Sequence, residues 1–195
     1  EQGVEQAEEY LRNAPEMKVF VIYLPDCHES LAGIIAGRIR EKYNKPVIVL
    51  TRSKEGVKGS GRSIDEYSMF EKLSECRDYL DKFGGHPMAA GLSLKEENID
   101  SFRKALNDNS GLTEENLIKK VYIDIKMPFY YISEHIIHQI ECLEPFGKAN
   151  EKPVFAESDV KITEARILGE NKNVLKLKLA TDAGGTIEGI CFKNT

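Results

Sequence analysis

Two glycines and a histidine, Gly84-Gly85-His86, open the stretch of this sequence that is best suited to holding a phosphate group. Glycine adopts backbone conformations that other residues avoid and lets a ligand approach its N–H group closely. The imidazole of His86 adds one or two N–H donors. If Gly84 and Gly85 form a tight turn, these donors converge on one point and make a cradle for phosphate. The alternative is that Gly84 only ends a helix over residues 73–83, with the histidine merely nearby.

Residues 52–62 form a second candidate site, because cations and glycines are mixed in them. The residues concerned are Arg52, Lys54, Gly56, Lys58, Gly59, Gly61 and Arg62. A strand over residues 57–63 would let another backbone or a ligand approach at its glycines. The alternative is a solvated loop.

The elements around these two stretches predict an α/β domain with a mixed sheet and flanking helices. Residues 19–23 and 46–50 are apolar runs typical of buried strands. Between them, apolar residues recur at helical spacing from Leu31 to Tyr43, with Ser30 as the N-cap. Strand, helix and strand in this order predict a right-handed βαβ unit.

The same domain continues with further helices and a strand. Residues 69–80 and 99–106 have helical periodicity, and residues 88–94 between them predict a strand of small residues. Ser93 and Glu96 have the spacing of a capping box for the second of these helices.

The second half of the chain changes character after residues 107–111, which are rich in Asn, Asp, Ser and Gly, and we place a domain boundary there. Apolar and polar residues alternate over 121–126, and residues 132–143 predict a short amphipathic helix. Three further segments predict antiparallel strands: residues 154–167, 174–181 and 186–192. This pattern favours a small, mainly antiparallel OB-like barrel. Since the chain stops soon after a strand, we expect a last strand to be missing.

The composition favours an ordinary protein of the cytoplasm. The chain has 195 residues, of which 41% are hydrophobic and 30% charged, with no apolar run of membrane-spanning length and no signal peptide. Its net charge of −5 argues against a uniformly basic nucleic-acid-binding protein but allows a local basic strip. The four scattered cysteines predict free thiols. His135, His138 and Cys142 share a helical face, for which a half-buried surface is favoured over a zinc site because no fourth ligand is near.

Together these motifs resemble the RecJ type of the DHH phosphoesterase family. Residues 83–92 (Phe-Gly-Gly-His-Pro-Met-Ala-Ala-Gly-Leu) are similar to the glycine-histidine signature of the DHH-associated domain, and residues 59–63 to its S-G-R-S strand. His28 with residues 32–38 is similar to the start of the domain's first helix, although the three residues after the histidine depart from the family pattern. Residues 143–155 begin with Leu-Glu-Pro-Phe-Gly and resemble the segment that leads into the RecJ OB domain.

The resemblance implies that the chain is the C-terminal, substrate-binding part of an exonuclease that hydrolyses single-stranded DNA from the five-prime end in repair and recombination. Residues 1–18 would end the connecting helix, residues 19–110 would be the DHH-associated domain and residues 111–195 the OB-like domain. The DHH catalytic domain, with the ligands for a divalent metal (Mn²⁺ or Mg²⁺), is expected outside this chain, so that this part binds no metal and is inactive alone. The partners implied are single-stranded DNA, the DHH domain of the same polypeptide and a single-strand-binding protein, and no membrane.

The resemblance also implies which residues of the first domain hold the strand: His28, Arg38, Ser60, Arg62, Gly84, Gly85 and His86. His86 and the two glycine amides would contact the phosphate near the scissile bond. Arg62 would place its planar fork on a phosphate, and Ser60 would add a hydroxyl. For His28 the alternative is a loop residue that only caps the helix.

Basic residues of the second domain are candidates for a nucleic-acid groove. Arg166, Lys172, Lys176 and Lys178 are predicted to line it, with a base stacked on an aromatic side chain. The alternative is an ordinary solvated strand face. Phe155 and Phe192 are predicted to lie in the core.

Two other functions stay open at this point. A smaller DHH phosphodiesterase, acting on short oligonucleotides or cyclic dinucleotides, shares the glycine-histidine motif, but the residues after 143 favour the RecJ type. The other is a non-catalytic module that binds nucleic acid or protein.

Overall fold

The computed structural model of the chain describes residues 1–54, 56–147, 149–170, 172–180 and 185–192. The chain divides into two compact units, Glu1–Lys119 and Lys120–Thr195, which we call the N-terminal and C-terminal units. The division predicted between residues 110 and 111 lies ahead of this point and stays a prediction. No helix among the described residues is both long and apolar enough to cross a membrane.

The N-terminal unit is built on one five-stranded sheet with helices on both faces. Its helices are α1 (Gln2–Asn13), α2 (Glu29–Tyr43), α3 (Met69–Glu75), α4 (Ile99–Asp108) and α5 (Glu114–Leu117). Its strands are β1 (Phe20–Tyr23), β2 (Val47–Ser53), β3 (Gly56–Arg62), β4 (Lys82–His86) and β5 (Ala89–Leu94), arranged in the order β1-β2-β3-β5-β4.

The sheet is mixed, as the sequence predicted. Strands β1 and β2 are parallel and are joined by α2, which confirms the predicted βαβ unit. Strands β2, β3, β5 and β4 pair antiparallel. Residues 56–62 of the basic, glycine-rich stretch therefore form strand β3 and not a solvated loop, while Arg52 lies near the end of β2.

Apolar side chains alternate between the two faces of the sheet and make two cores. On one face, Ile22 and Val49 pack with Ala36 and Ile39 of α2. On the other face, Leu50 and other strand residues pack with the apolar sides of α3 and α4. Because consecutive strand residues point to opposite faces, β1 and β2 contribute to both cores, whereas β3, β4 and β5 contribute only to the second.

Two local predictions about helix starts are wrong. The N-cap of α2 is His28 rather than Ser30, because the His28 ring nitrogen accepts the backbone N–H of Ser30. Ser93 does not open a capping box, because it lies within β5; a 3₁₀ turn, Glu96–Asn98, precedes α4 instead.

The glycine pair does not form a tight turn, and it does not end a helix. Helix α3 stops at Glu75 and a 3₁₀ turn, Arg77–Tyr79, follows, after which Gly84 and Gly85 lie inside strand β4. The turn of this hairpin is made by Pro87 and Met88, since the adjoining residues are already paired across the two strands. Both local interpretations were wrong for the same reason. The backbone conformation of this strand is determined by hydrogen-bond pairing with β5, which local sequence spacing does not reveal.

The C-terminal unit contains an antiparallel three-stranded sheet in the order β10-β9-β8. Its elements are β6 (Ile125–Lys126), α6 (Glu134–Glu141), β7 (Phe155–Ala156), β8 (Lys161–Leu168), β9 (Val174–Ala180) and β10 (Thr186–Phe192). Strands β6 and β7 form a separate parallel pair. The strand predicted over 121–126 is limited to β6, and residue 181 of another predicted strand lies outside the described residues.

Candidate nucleic-acid interface

The register of β3, β5 and β4 places the predicted phosphate-binding residues in rows across one face of the sheet. Ala89 pairs with both Arg62 and His86, so these three form one row. Gly91 pairs with both Ser60 and Gly84 and forms the next row. A third row follows in the same register: Lys58, Ser93 and Lys82. We call these nine residues the platform.

All three rows of the platform face the same side. Side chains two residues apart along a strand point in the same direction. Lys58 forms an ion pair with Glu29 of α2, with 2.9 Å between Nζ and Oε2, so this side is the one that α2 partly covers. Gly84, His86 and Gly91 are exposed, so the part of the platform on β4 and β5 is open to solvent.

Gly59 and Gly61 of β3 lie on the opposite face of the sheet. A Cβ on Gly59 would lie 2.5 Å from Cδ2 of Leu50, and a Cβ on Gly61 would lie 3.1 Å from Sδ of Met69. These two glycines therefore allow close core packing rather than the approach of a ligand. Their alternation with Ser60 and Arg62 is what places those polar side chains on the platform.

Arg62 is held in place by its own strand and by α2. Its Nη1 donates to Ser60 Oγ at 3.0 Å and to the Gly61 carbonyl at 2.8 Å. A Cβ on Gly33 of α2 would lie 2.8 Å from Arg62 Nη2 and 3.1 Å from Ser60 Oγ. The half-buried guanidinium is thus oriented before any ligand arrives, and its remaining N–H groups can donate to an anion.

His28 caps α2, as the alternative interpretation held. Its Nδ1 accepts the backbone N–H of Ser30 at 3.3 Å and lies 2.8 Å from Ser30 Oγ. Since Nδ1 is an acceptor, the proton of the neutral ring is on Nε2, which can donate to a ligand. The role of His28 as a strand contact stays a prediction.

Arg38 is not joined to the platform by any described contact. It is exposed on α2 and lies 3.9 Å from the Glu41 carboxylate one turn later. Its role as a strand contact also stays a prediction.

The basic residues of the C-terminal unit share one face of the antiparallel sheet. Arg166 pairs with Lys176 across β8 and β9, and Lys178 is two residues further along β9. Two of these cations are already compensated, because Arg166 contacts Glu164 and Lys176 Nζ lies 2.9 Å from Glu188. Lys176 holds the pKa of the Glu188 carboxyl below its usual value.

Phe192 is on this same face and not in the core. It pairs with Val174 of β9 and is 72% exposed, so the prediction of a core position is wrong for this residue. Phe155 is half-buried. The alternation along β10 contained the signal, because Phe192 is in phase with Ile190 and Glu188, and out of phase with the more buried Ile187 and Gly189.

The described residues do not offer a metal site. No group of three or more His, Cys, Asp and Glu side chains among them is arranged to hold an ion. In particular, His138 pairs with the carboxylate of Glu141, with 3.4 Å between Nδ1 and Oε2. Two-metal hydrolysis needs a cluster of such ligands.

Comparison with known proteins gives the family. The profile of the DHHA1 domain matches residues 16–110, and the profile of the RecJ OB domain matches residues 123–195. The chain belongs to the RecJ family. The resemblance stated from the motifs is thereby confirmed, as is the fold class: a mixed α/β DHHA1 domain followed by a mainly antiparallel OB domain.

Curated relatives of the chain are named as single-stranded-DNA-specific exonucleases RecJ. The protein of Bacillus subtilis (strain 168) is 37% identical over 158 residues, which cover 79% of this chain and 20% of that protein. The protein of Haemophilus influenzae is 34% identical over 179 residues, which cover 88% of this chain and 31% of the relative. The chain therefore spans less than a third of either protein.

Solved RecJ structures share the fold. The crystal structure of RecJ from Thermus thermophilus in complex with Mn²⁺ matches with a TM-score of 0.80 and 28% identity over 99% of this chain and 28% of that one. The structure of the same protein in complex with Mg²⁺ matches with a TM-score of 0.78.

Proposed function

We propose that this chain is the strand-holding part of a RecJ exonuclease and binds single-stranded DNA on the platform. The observation that carries the proposal is the row Arg62–Ala89–His86, in which two nitrogen-bearing side chains flank a small residue on an open sheet face. A phosphodiester can approach the backbone there because Ala89, Gly91 and Gly84 carry almost no side chain.

Arg62, Ser60 and His86 each have a defined part in this proposal. Arg62 donates a fork of N–H groups to one phosphate, and its hydrogen bonds to Ser60 Oγ and the Gly61 carbonyl fix the direction of that fork. His86 contacts the phosphate near the scissile bond from the other side of Ala89. Such contacts position the strand without reading its sequence.

In the whole enzyme, a divalent metal bound by another domain of the polypeptide would supply the hydrolytic chemistry. The solved relatives described with Mn²⁺ or Mg²⁺ support this assignment. Hydrolysis from the five-prime end, work in cytoplasmic DNA repair and recombination, and cooperation with a single-strand-binding protein belong to the same proposal. The exposed Phe192, on the same face of the sheet as Lys176 and Arg166, supports base stacking by the C-terminal unit.

The test is fluorescence anisotropy of this chain with labelled single-stranded DNA, titrated at several salt concentrations. We expect salt-sensitive binding that spares duplex DNA. Arg62→Ala should weaken it and reduce the slope of log affinity against log salt by about 1.

A matched control removes one charge from the other side of the sheet. Lys104 is exposed on α4, whose Phe102 and Leu106 pack into the core behind the platform. Lys104→Ala should leave the salt slope unchanged. Equal slopes for wild type and Arg62→Ala would refute the platform as the binding surface.

A further inference from the structure

A cleft at the start of α2 shares Lys58, Ser60 and Gly91 with the platform, and its other lining residues have no part in the phosphate contacts proposed above. It has a volume of about 420 Å³ and is lined by the first residues of α2 and by β2, β3 and β5. The side chains that matter below are Glu29, Ser30, Thr51, Lys58 and Ser60.

Thr51 gives this cleft an unused hydrogen-bonding group. The residue is completely buried, yet its Oγ1 has no hydrogen-bond partner among the residues that the structure describes. A buried hydroxyl without a partner destabilises a fold, so such groups call for an explanation, and a ligand is one. Ser60 offers a second group there, because its Oγ accepts from Arg62 while its own O–H can donate outward.

The charges of the cleft favour an uncharged ligand group. Glu29 and Lys58 are paired at 2.9 Å, and this pair holds the pKa of the Glu29 carboxyl below its usual value, so the wall keeps a carboxylate at neutral pH. Because this carboxylate compensates the Lys58 ammonium, the pair adds no net charge that would attract a second phosphate. Neutral groups that both donate and accept hydrogen bonds, between small and apolar residues such as Gly91 and Leu92, suit the edge and the faces of a nucleobase.

We propose that this cleft, with Thr51 at its floor, takes an unpaired nucleobase of the DNA strand that the platform holds. The inference rests on the proposed function and adds a base-contacting subsite to it. Thr51 pairs with Lys58 and thus extends the third row of the platform onto β2, four residues along β3 from the row of Arg62. At the usual rise of a strand this is about 13 Å, which separates the base subsite from the phosphate contact.

The test combines DNA and protein changes. Single-stranded oligonucleotides of eight identical nucleotides, each with one abasic position, are titrated against the whole chain at fixed salt. For the wild type, removal of one particular base should lower the affinity on the order of five-fold, the effect of a hydrogen bond. Thr51→Val should lower the affinity for the complete oligonucleotide by a similar factor and abolish the extra loss at that abasic position.

Three variants serve as controls. Thr51→Ser keeps the hydroxyl and should retain the wild-type pattern. If Thr51→Val fails to fold, Thr51→Ala also removes the hydroxyl and should abolish the extra loss at the abasic position. Ser68 precedes α3 and also has a buried hydroxyl without a partner among the described residues. Ser68→Ala should not change the abasic pattern.

The outcomes separate this inference from the proposed function. Two results would refute the base subsite while the platform stands, provided that Arg62→Ala weakens binding. In the first, no abasic position lowers the affinity of the wild type more than another. In the second, the affinity losses from Thr51→Val and from the abasic position are additive. If Arg62→Ala has no effect on affinity or salt slope, the proposed function itself fails.

Discussion

Gly33 determines how closely α2 approaches the guanidinium of Arg62. A Cβ at this position would lie 2.8 Å from Nη2, which is the far end of a flexible side chain and can move away. We expect Gly33→Ala to fold normally and to gain stability from helix propensity, by up to about 1 kcal/mol. The displaced guanidinium should weaken single-strand binding about as much as Arg62→Ala does.

The same helix supplies a matched control for this prediction. A Cβ on Gly37, one turn after Gly33, would meet nothing within 4 Å. Gly37→Ala should therefore raise the free energy of unfolding, measured by urea denaturation, and leave the anisotropy titration unchanged. The assignment of Gly33 is wrong if both variants bind like the wild type.

At the scale of elements, substitutions at the N-cap of α2 test how much of the role of His28 is structural. His28→Ala removes the side chain that accepts the Ser30 N–H and should lower the free energy of unfolding by about 1 kcal/mol. His28→Asn should restore most of this loss, because asparagine is a good N-cap. Urea denaturation of both variants decides the point; an unchanged midpoint for His28→Ala would contradict it. The asparagine variant is then the background in which to test a strand contact.

The β4–β5 hairpin depends on one glycine more than on the other. Gly85 has φ +152°, and a Cβ there would lie 2.3 Å from the Ala89 carbonyl oxygen, which is backbone and cannot move aside. Gly85→Ala should cost about 1–3 kcal/mol of stability. Gly84→Ala should have a much smaller effect on the thermal midpoint, since nothing lies within 4 Å of its Cβ position. Equal thermal midpoints for the two variants would contradict this, because they would show that the hairpin backbone rearranges to accommodate the added Cβ at position 85.

The elements also show which parts of the fold can be predicted from local sequence. The βαβ unit follows from apolar runs on both sides of a helical pattern, and the structure agrees with it. The position of Gly84 and Gly85 could not be derived in this way, because strand β4 exists only through pairing with β5. The rows of the platform and the cleft around Thr51 could not be predicted for the same reason. Both depend on strand register, which the spacing of residues along the sequence does not determine.

At the scale of the whole molecule, burial is concentrated in the N-terminal unit. Both apolar cores belong to it, from Ala7 to Leu112. No described side chain of the C-terminal unit is fully buried. Apolar burial is the main source of folding free energy, so the two units should differ in stability.

The reactivity of the cysteines can measure this difference in stability, because two cysteines lie in each unit. Cys76 is buried in the N-terminal unit, whereas Cys142 and Cys191 of the C-terminal unit are exposed. Burial raises the pKa of the Cys76 thiol, so at a given pH less of it is present as the reactive thiolate. We expect iodoacetamide to modify Cys142 and Cys191 quickly and Cys76 only when the N-terminal unit opens. Mass spectrometry of the labelled peptides over time measures the three rates, and in concentrated urea they should converge. Rapid labelling of Cys76 without denaturant would mean that the core behind the platform opens as readily as the C-terminal sheet.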